Sequence, residues 1–258
     1  MRDIKFYVIG LLIFGLNFNS NAQESKSVVI SLTVSPSVGW MSPTNKGYTS
    51  DGAKMGIKYG LLMDFRLFEV DNYSFISGFT MNHIGGKMRE PSVFENDPGV
   101  DLAASDVAVY KLTYIDVPLV IRLKTNEIGY NVFYAVFGSE VGFNVGAKKE
   151  YTRTYGSTST GSFTEDASNE IKLFRSSLVF GLGIQRNISG NTNYRIGLTY
   201  HNGLTNVMKG KGTEGNEGKA YAVDGNGVIE LNSDGSPKYD RKLNTKLSFI
   251  ELNLAIVF

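Results

Sequence analysis

Two histidines, His83 and His201, are the only imidazoles the sequence offers for general-base chemistry. An acyl hydrolase would need one of them beside a serine or another nucleophile, with an acid to orient it. His83 leads into Ile84-Gly85 and His201 into Asn202-Gly203, so both read as barrel-wall or interface residues and no enzyme is expected. The stretch Asp224-Gly225-Asn226-Gly227, running on to Glu230, carries oxygen ligands. It lacks the acidic residue or asparagine that a calcium loop needs at its fifth position. Gly181-Leu182-Gly183 stops short of the third glycine of a nucleotide loop and falls inside a strand pattern. There is no cysteine, which removes disulfides, thiolate metal sites and a lipoprotein export signal. No metal and no cofactor is expected.

The charged residues that remain fall in phase on one side of alternating segments. Lys58, Asp64, Arg66, Asp116, Arg122, Glu140, Arg175, Arg195 and Glu251 share the more polar face of their runs. If those faces converge on one narrow interior, unpaired charge there is costly and mixed signs must pair. The set reads as a plug more than a pore, with a narrow ion path along the same charges as the alternative.

The elements that would position them are strands. In the first run Val28, Ile30, Leu32, Val34 and Val38 alternate with Ser31, Thr33, Ser35, Ser37 and Gly39. In the second, Met55, Ile57, Tyr59, Leu61, Met63, Phe65 and Leu67 alternate with Lys58, Asp64 and Arg66 among others. Period-two patterning of this length is what a strand with two chemically different faces requires. It recurs from Tyr73, over 107–124, from Phe133, from Phe174, from Tyr194, and from Ile250 to Phe258, for eight strands in all. In the fourth run Tyr110, Leu112 and Tyr114 keep one phase and Ile115, Val117, Leu119 and Ile121 the other. That slip predicts a β-bulge at Tyr114–Ile115, beside Pro118, which has no ladder donor. In the fifth run Gly138, Glu140, Gly142, Asn144 and Lys148 are expected inward.

Connectors alternate long and short, at 41–54, 69–72, 90–106, 125–130, 149–169, 187–191 and 208–241. Short periplasmic turns and long extracellular loops are the habit of bacterial outer-membrane barrels, and an even strand number returns both ends to the periplasm. The long loops contain turn dipeptides such as Asp51-Gly52 and Asp234-Gly235, which suit mobile segments or small hairpins.

At the start of the chain, Arg2 and Lys5 precede an apolar run from Phe6 to Leu16, followed by Ser20-Asn21-Ala22. This is the layout of a cleaved signal peptide over residues 1–22, too short in its apolar part for a spanning helix. The whole chain has 26 Lys+Arg against 25 Asp+Glu, and loss of Arg2, Lys5 and Asp3 leaves residues 23–258 formally neutral. Nothing in that balance points to nucleic acid. With 29 Gly and 6 Pro, residues 23–258 read as one all-β domain. The fold class expected is an eight-stranded, closed, antiparallel transmembrane β-barrel. A soluble periplasmic lipocalin-like ligand-binding barrel shows the same alternation with the apolar face inside, and is the alternative.

Four stretches read together carry a family resemblance: Tyr114-Ile115-Asp116-Val117-Pro118-Leu119, the glycine-spaced strand from Phe133 to Gly146, Gly181-Leu182-Gly183-Ile184, and Tyr194-Arg195-Ile196-Gly197-Leu198 continuing to Gly203-Leu204-Thr205-Asn206. With the terminal Phe258 they make the chain resemble the PorT-like outer-membrane β-barrel family. The resemblance implies residence in the outer membrane, contact with its lipid, and insertion by the barrel-assembly machinery, for which Phe258 would be the C-terminal assembly signal. It brings no catalytic motif. For some members it implies a part in protein secretion. The function expected is a membrane-anchored binding or assembly module, meeting a secretion component or surface partner through the segments 90–106, 149–169 and 208–241.

Overall fold

Alternating sequence becomes a closed wall because, in hydrocarbon, every backbone donor and acceptor must find a partner within the protein. A computed structural model describes residues 28–68, 72–94, 102–155, 158–190, 192–209, 219–224 and 228–258. The expected signal peptide, residues 1–22, lies outside the described residues. In chain order the strands are β1 (Val28–Pro43), β2 (Thr49–Arg66), β3 (Tyr73–Phe94), β4 (Leu102–Lys124), β5 (Val132–Tyr155), β6 (Thr158–Asp166), β7 (Phe174–Ser189), β8 (Thr192–Gly203), β9 (Lys219–Tyr221), β10 (Tyr239–Lys242) and β11 (Thr245–Val257). Eight of them form a closed antiparallel barrel. The ring runs β4-β3-β2-β1-β11-β8-β7-β5 and closes through β4–β5. β1 pairs with β11 from Ser31↔Val257 to Pro43↔Thr245, joining the two ends of the described chain.

The barrel turns its apolar face outward. Ser31, Thr33, Ser35 and Ser37 are buried inside while Ile30, Leu32, Val34 and Val38 are exposed, and the pattern repeats through Leu61, Phe79, Ile121, Phe137, Leu182, Leu198 and Leu252 around the ring. A lipocalin-like barrel would place these residues inside; their outward placement opposes that alternative and makes a belt for lipid. The belt's upper rim carries Trp40 stacked on Tyr200, with centroids 6.2 Å apart, rings suited to the interface between hydrocarbon and water.

Above the belt the chemistry inverts. β4 alternates without a break from Asp106 to Arg122, its even-numbered residues all facing in. No residue of β4 changes phase at Tyr114–Ile115. The apolar residues change face: Tyr110, Leu112 and Tyr114 point into the interior, whereas Leu119, Ile121 and Leu123 point to lipid. The upper barrel is therefore built like a soluble protein, with its oil inside. A bulge does fall at this height, but its extra residue belongs to β5. Thr113 pairs with Gly146 and Tyr114 with Asn144, which leaves Val145 over. The shift turns Lys148 outward, against the sequence expectation.

The long connectors are more ordered than their composition suggests. β1 and β2 extend until only 44–48 separates them, and β3 and β4 stay paired up to Phe94↔Leu102. β5 pairs with β7 only from Val132 to Phe143, then exchanges that neighbour for β6 while its other edge stays paired with β4 up to Ser105↔Thr154. The segment 208–241 contributes the small β9–β10 ribbon and the bridges Val223↔Ile229 and Leu231↔Pro237.

Candidate functional site

Inside the belt the inward residues of opposite walls meet in two tiers. In the upper tier the Lys58 ammonium bonds Glu140 Oε2 and lies 3.6 Å from Glu251. Arg175 reaches Asp116 at 2.6 Å and Glu140 at 3.1 Å, and donates to Ser177 Oγ at 2.9 Å. Asn82 donates to the same Asp116 oxygen at 2.8 Å. Rings close over the cations: the Arg175 guanidinium sits 4.8 Å from the Tyr114 centroid and 5.3 Å from Phe249, an arrangement that favours a desolvated cation. Gly142 makes room for it, because a Cβ there would lie 2.8 Å from Arg175 Nε.

His201 belongs to this tier, and sequence reasoning did not include it. Its ring stacks on Phe249 at 4.0 Å, with Nδ1 3.3 Å from Glu140 and Nε2 3.2 Å from Glu251. The signal was available, since His201 alternates in phase with Arg195 and Thr199. Without His201 the tier sets two cations, Lys58 and Arg175, against three carboxylates, Asp116, Glu140 and Glu251. A proton on His201 brings it to neutrality.

The lower tier centres on Asp64, whose Oδ2 accepts from Arg122 and, at 2.5 Å, from Arg195. Arg195 Nε donates to Gln185 at 2.7 Å, and the Arg122 guanidinium covers the Tyr134 ring at 5.1 Å. Asp64 on β2 and Arg195 on β8 stand across the lumen from each other, so their bond is a crossbar. A cavity of about 60 Å³ touches both tiers, lined among others by Lys58, Arg122, Tyr134 and Glu140. That is space for about two waters. Of the nine residues expected to face the lumen, eight are buried in these tiers. Arg66 is instead only half-buried and lines the periplasmic mouth. Phe258 is 54 % exposed, and its backbone N–H donates to Ile30 O at 2.9 Å.

The upper barrel is filled by Met41, Ile84, Met88, Tyr110, Leu112, Leu247 and Phe249, over which Ile171, Val207 and Met208 fold from the connectors. A polar knot ties this cap. Lys149 bonds Glu90 at 2.8 Å and lies 3.8 Å from Glu170, and the Tyr110 hydroxyl donates to Glu90 at 2.7 Å and to Glu170 at 3.1 Å. Burial, reinforced by the Glu90 charge, pushes the Tyr110 phenol well above its ordinary range. Burial alone would make Lys149 a weaker base, but Glu90 and Glu170 more than offset it and hold its ammonium above the usual value. Burial raises Glu170 despite Lys149. Tyr48, whose hydroxyl accepts from Tyr221 N at 3.1 Å, is raised by burial, and Tyr221 is pushed by burial and Tyr239 up to about 12.

The apolar belt around a closed ring of eight strands, with charge inside and a water-type fold above, defines an outer-membrane β-barrel protein. The family model described as "Outer membrane protein beta-barrel domain" matches residues 17–208, and the chain belongs to that family. Among solved structures it is similar to Neisserial surface protein A, with 10 % identity and a TM-score of 0.40 over 91 % of this chain and 98 % of that one. It is also similar to Ail, the attachment invasion locus protein of Yersinia pestis, with 13 % identity and a TM-score of 0.30 over 90 % and 97 %. The outer membrane protease OmpT from Escherichia coli matches with 7 % identity and a TM-score of 0.34 over 92 % and 99 %. None of the curated proteins matches it in sequence.

Proposed function

We propose that this barrel is a non-conducting membrane anchor for an extracellular binding or assembly surface, and that its resemblance to PorT-like proteins extends to a part in protein secretion. The observation that carries the reading is the triple closure of the lumen: the Asp64–Arg195 crossbar, the Lys58–Glu140–Arg175 tier, and the apolar cap above them. An eight-stranded barrel has an interior that side chains can fill, so no room is left for a path. The surface left to act is the projecting β3–β4 ladder, the β5–β6 hairpin and the β9–β10 ribbon, held by a rigid wall as recognition segments usually are. The reading is also non-catalytic. His201 is enclosed between two carboxylates, and His83 faces Tyr59 and Thr113 on the outer wall without an acid within bonding distance among the described residues.

The test has two arms. Purified protein in a planar bilayer should give no single-channel steps, and reproducible steps would replace this reading with the channel. A strain in which 210–241 is replaced by a short turn should keep the barrel in the outer membrane yet change its complement of surface and secreted proteins. An unchanged complement would remove the secretion role.

A further inference from the structure

The lower tier is out of electrical balance. Arg122 and Arg195 are both buried, and both lean on the same oxygen of one carboxylate, Asp64 Oδ2. Two buried guanidiniums against one carboxylate leave this tier one positive charge in excess. The carboxylate that balances it in sum belongs to the upper tier, where Glu251 faces Lys58 and His201 and makes no ion pair with either guanidinium among the described contacts, a costly separation in a low-dielectric interior.

Hydrogen bonding at the same place is incomplete as well. Arg195 Nη1, Arg122 Nε, the buried Ser74 hydroxyl and one acceptor, Asp64 Oδ1, have no protein partner, while the other two Arg195 nitrogens are taken by Asp64 and Gln185. Arg195 and Ser74 both line a vestibule of about 470 Å³ at the end of the barrel where the short turns lie. Arg66 and Lys124 stand along the same vestibule, Asp64 is its one carboxylate side chain, and Phe258, the last residue, lines it as well. Its volume is that of a small-molecule site, and it opens on the side that this class of barrel turns to the periplasm.

Water entering the vestibule would complete the hydrogen bonds but would not balance the charge. An oxyanion would meet the donors and supply the charge, leaving only the acceptor Asp64 Oδ1 to water, because a guanidinium N–H and a hydroxyl are the donors that carboxylates and phosphates take. We propose that the periplasmic vestibule is a binding site for a small anion bearing a carboxylate or phosphate group, held by Arg195 Nη1 and Ser74 Oγ and balanced against the Arg122–Arg195 pair. The site lies at the opposite end of the molecule from the extracellular surface, and it operates whether or not that surface binds a partner.

Calorimetric titration of the full barrel in detergent tests this, with inorganic phosphate in one arm and succinate in the other, at constant ionic strength set with sodium chloride. Saturable one-site binding, with a Kd at or below about 1 mM, is expected in at least one arm, and the arm that binds assigns the group. Ser74→Asp supplies the missing negative charge from the protein itself. It should weaken that binding at least about tenfold and raise the unfolding midpoint above that of the neutral Ser74→Asn. Should Ser74→Asp fail to insert, Ser74→Ala should still fold, since it only removes a hydroxyl, and should bind more weakly than the unsubstituted protein. The proposal is overturned if neither anion saturates, if binding is equally strong in the folded Ser74→Asp or Ser74→Ala variant, or if chloride competes as well as the titrant does.

Discussion

Replacing Arg175 by leucine removes the cation that holds the upper tier together. Asp116 keeps only the amide of Asn82, and Glu140 keeps Lys58 and the approach of His201, while Ser177 loses its donor. Two carboxylates, both essentially without solvent contact, then share less positive charge than they carry. Breaking a buried pair from one side costs about 3–5 kcal/mol, which lowers the folding equilibrium between a hundredfold and several thousandfold. Arg175→Lys should recover only part of the loss, since a single ammonium cannot serve Asp116, Glu140 and Ser177 in the fork geometry of a guanidinium. Denaturant unfolding in lipid vesicles, followed by the shift in gel mobility between folded barrel and open chain, measures the change. The double variant Arg175→Leu/Asp116→Leu should be less destabilised than the single, because removing both partners leaves less uncompensated charge. A cost for Arg175→Leu under about 1 kcal/mol, the range of solvent-exposed pairs, would refute the dry, paired interior.

Gly142→Ala should loosen the same tier by about 1–3 kcal/mol through overpacking against Arg175, read from the same unfolding midpoints, while alanine in place of the exposed Gly190 should cost less and act only through its turn. The cap should open in alkali. Tyr110 and Lys149 hold their protons more tightly folded than unfolded, so their contribution is complete below about pH 10, where the unfolded groups begin to titrate. It is lost as pH rises through their raised values, and amide exchange over 105–112 should accelerate across that range before the belt strands do. Glu90→Gln should narrow the interval by removing the charge that raises both. Boiling in detergent should be needed to shift the gel mobility of the native barrel, because the closed ladder opens as a unit; identical mobility before and after boiling would contradict closure.

The barrel itself was legible in the sequence, since each spanning strand carries its own period-two record of inside and outside. The fold above the belt was legible in residues but not in meaning. Tyr110, Leu112 and Tyr114 followed by Ile115, Val117 and Leu119 look like a slipped strand, when the strand runs straight and its surroundings change from lipid to water. Alternation records which residues share a face, and the identity of the apolar face depends on the solvent at that height. Pairing within the lumen was equally hidden. Arg195 and Glu140 are both inward, yet they belong to different tiers, one with Asp64 and the other with Lys58 and Arg175. Partners across a lumen depend on barrel stagger, which no single strand encodes. The connectors were underestimated because glycine, serine and threonine fit flexible loops and also the outer face of an extramembrane ladder. Such ladders form where neighbouring strands are already aligned below.

The change of apolar face along β4 at Tyr114–Ile115 also fixes how far this molecule reaches. From His83 at the rim, β3 continues paired with β4 to Phe94. At about 3.3 Å per residue and a tilt of about 40°, that carries the wall some 25–30 Å beyond the hydrocarbon. A stalk of that height clears the headgroups, so a partner can be met by the tips of the ladder without approaching the bilayer. Because the stalk is continuous with the staves of the barrel, a sideways pull on its tip is resisted by the membrane-embedded hydrogen-bond ladder and not by a hinge. The tip of the ladder is thus held at a set distance from the bilayer.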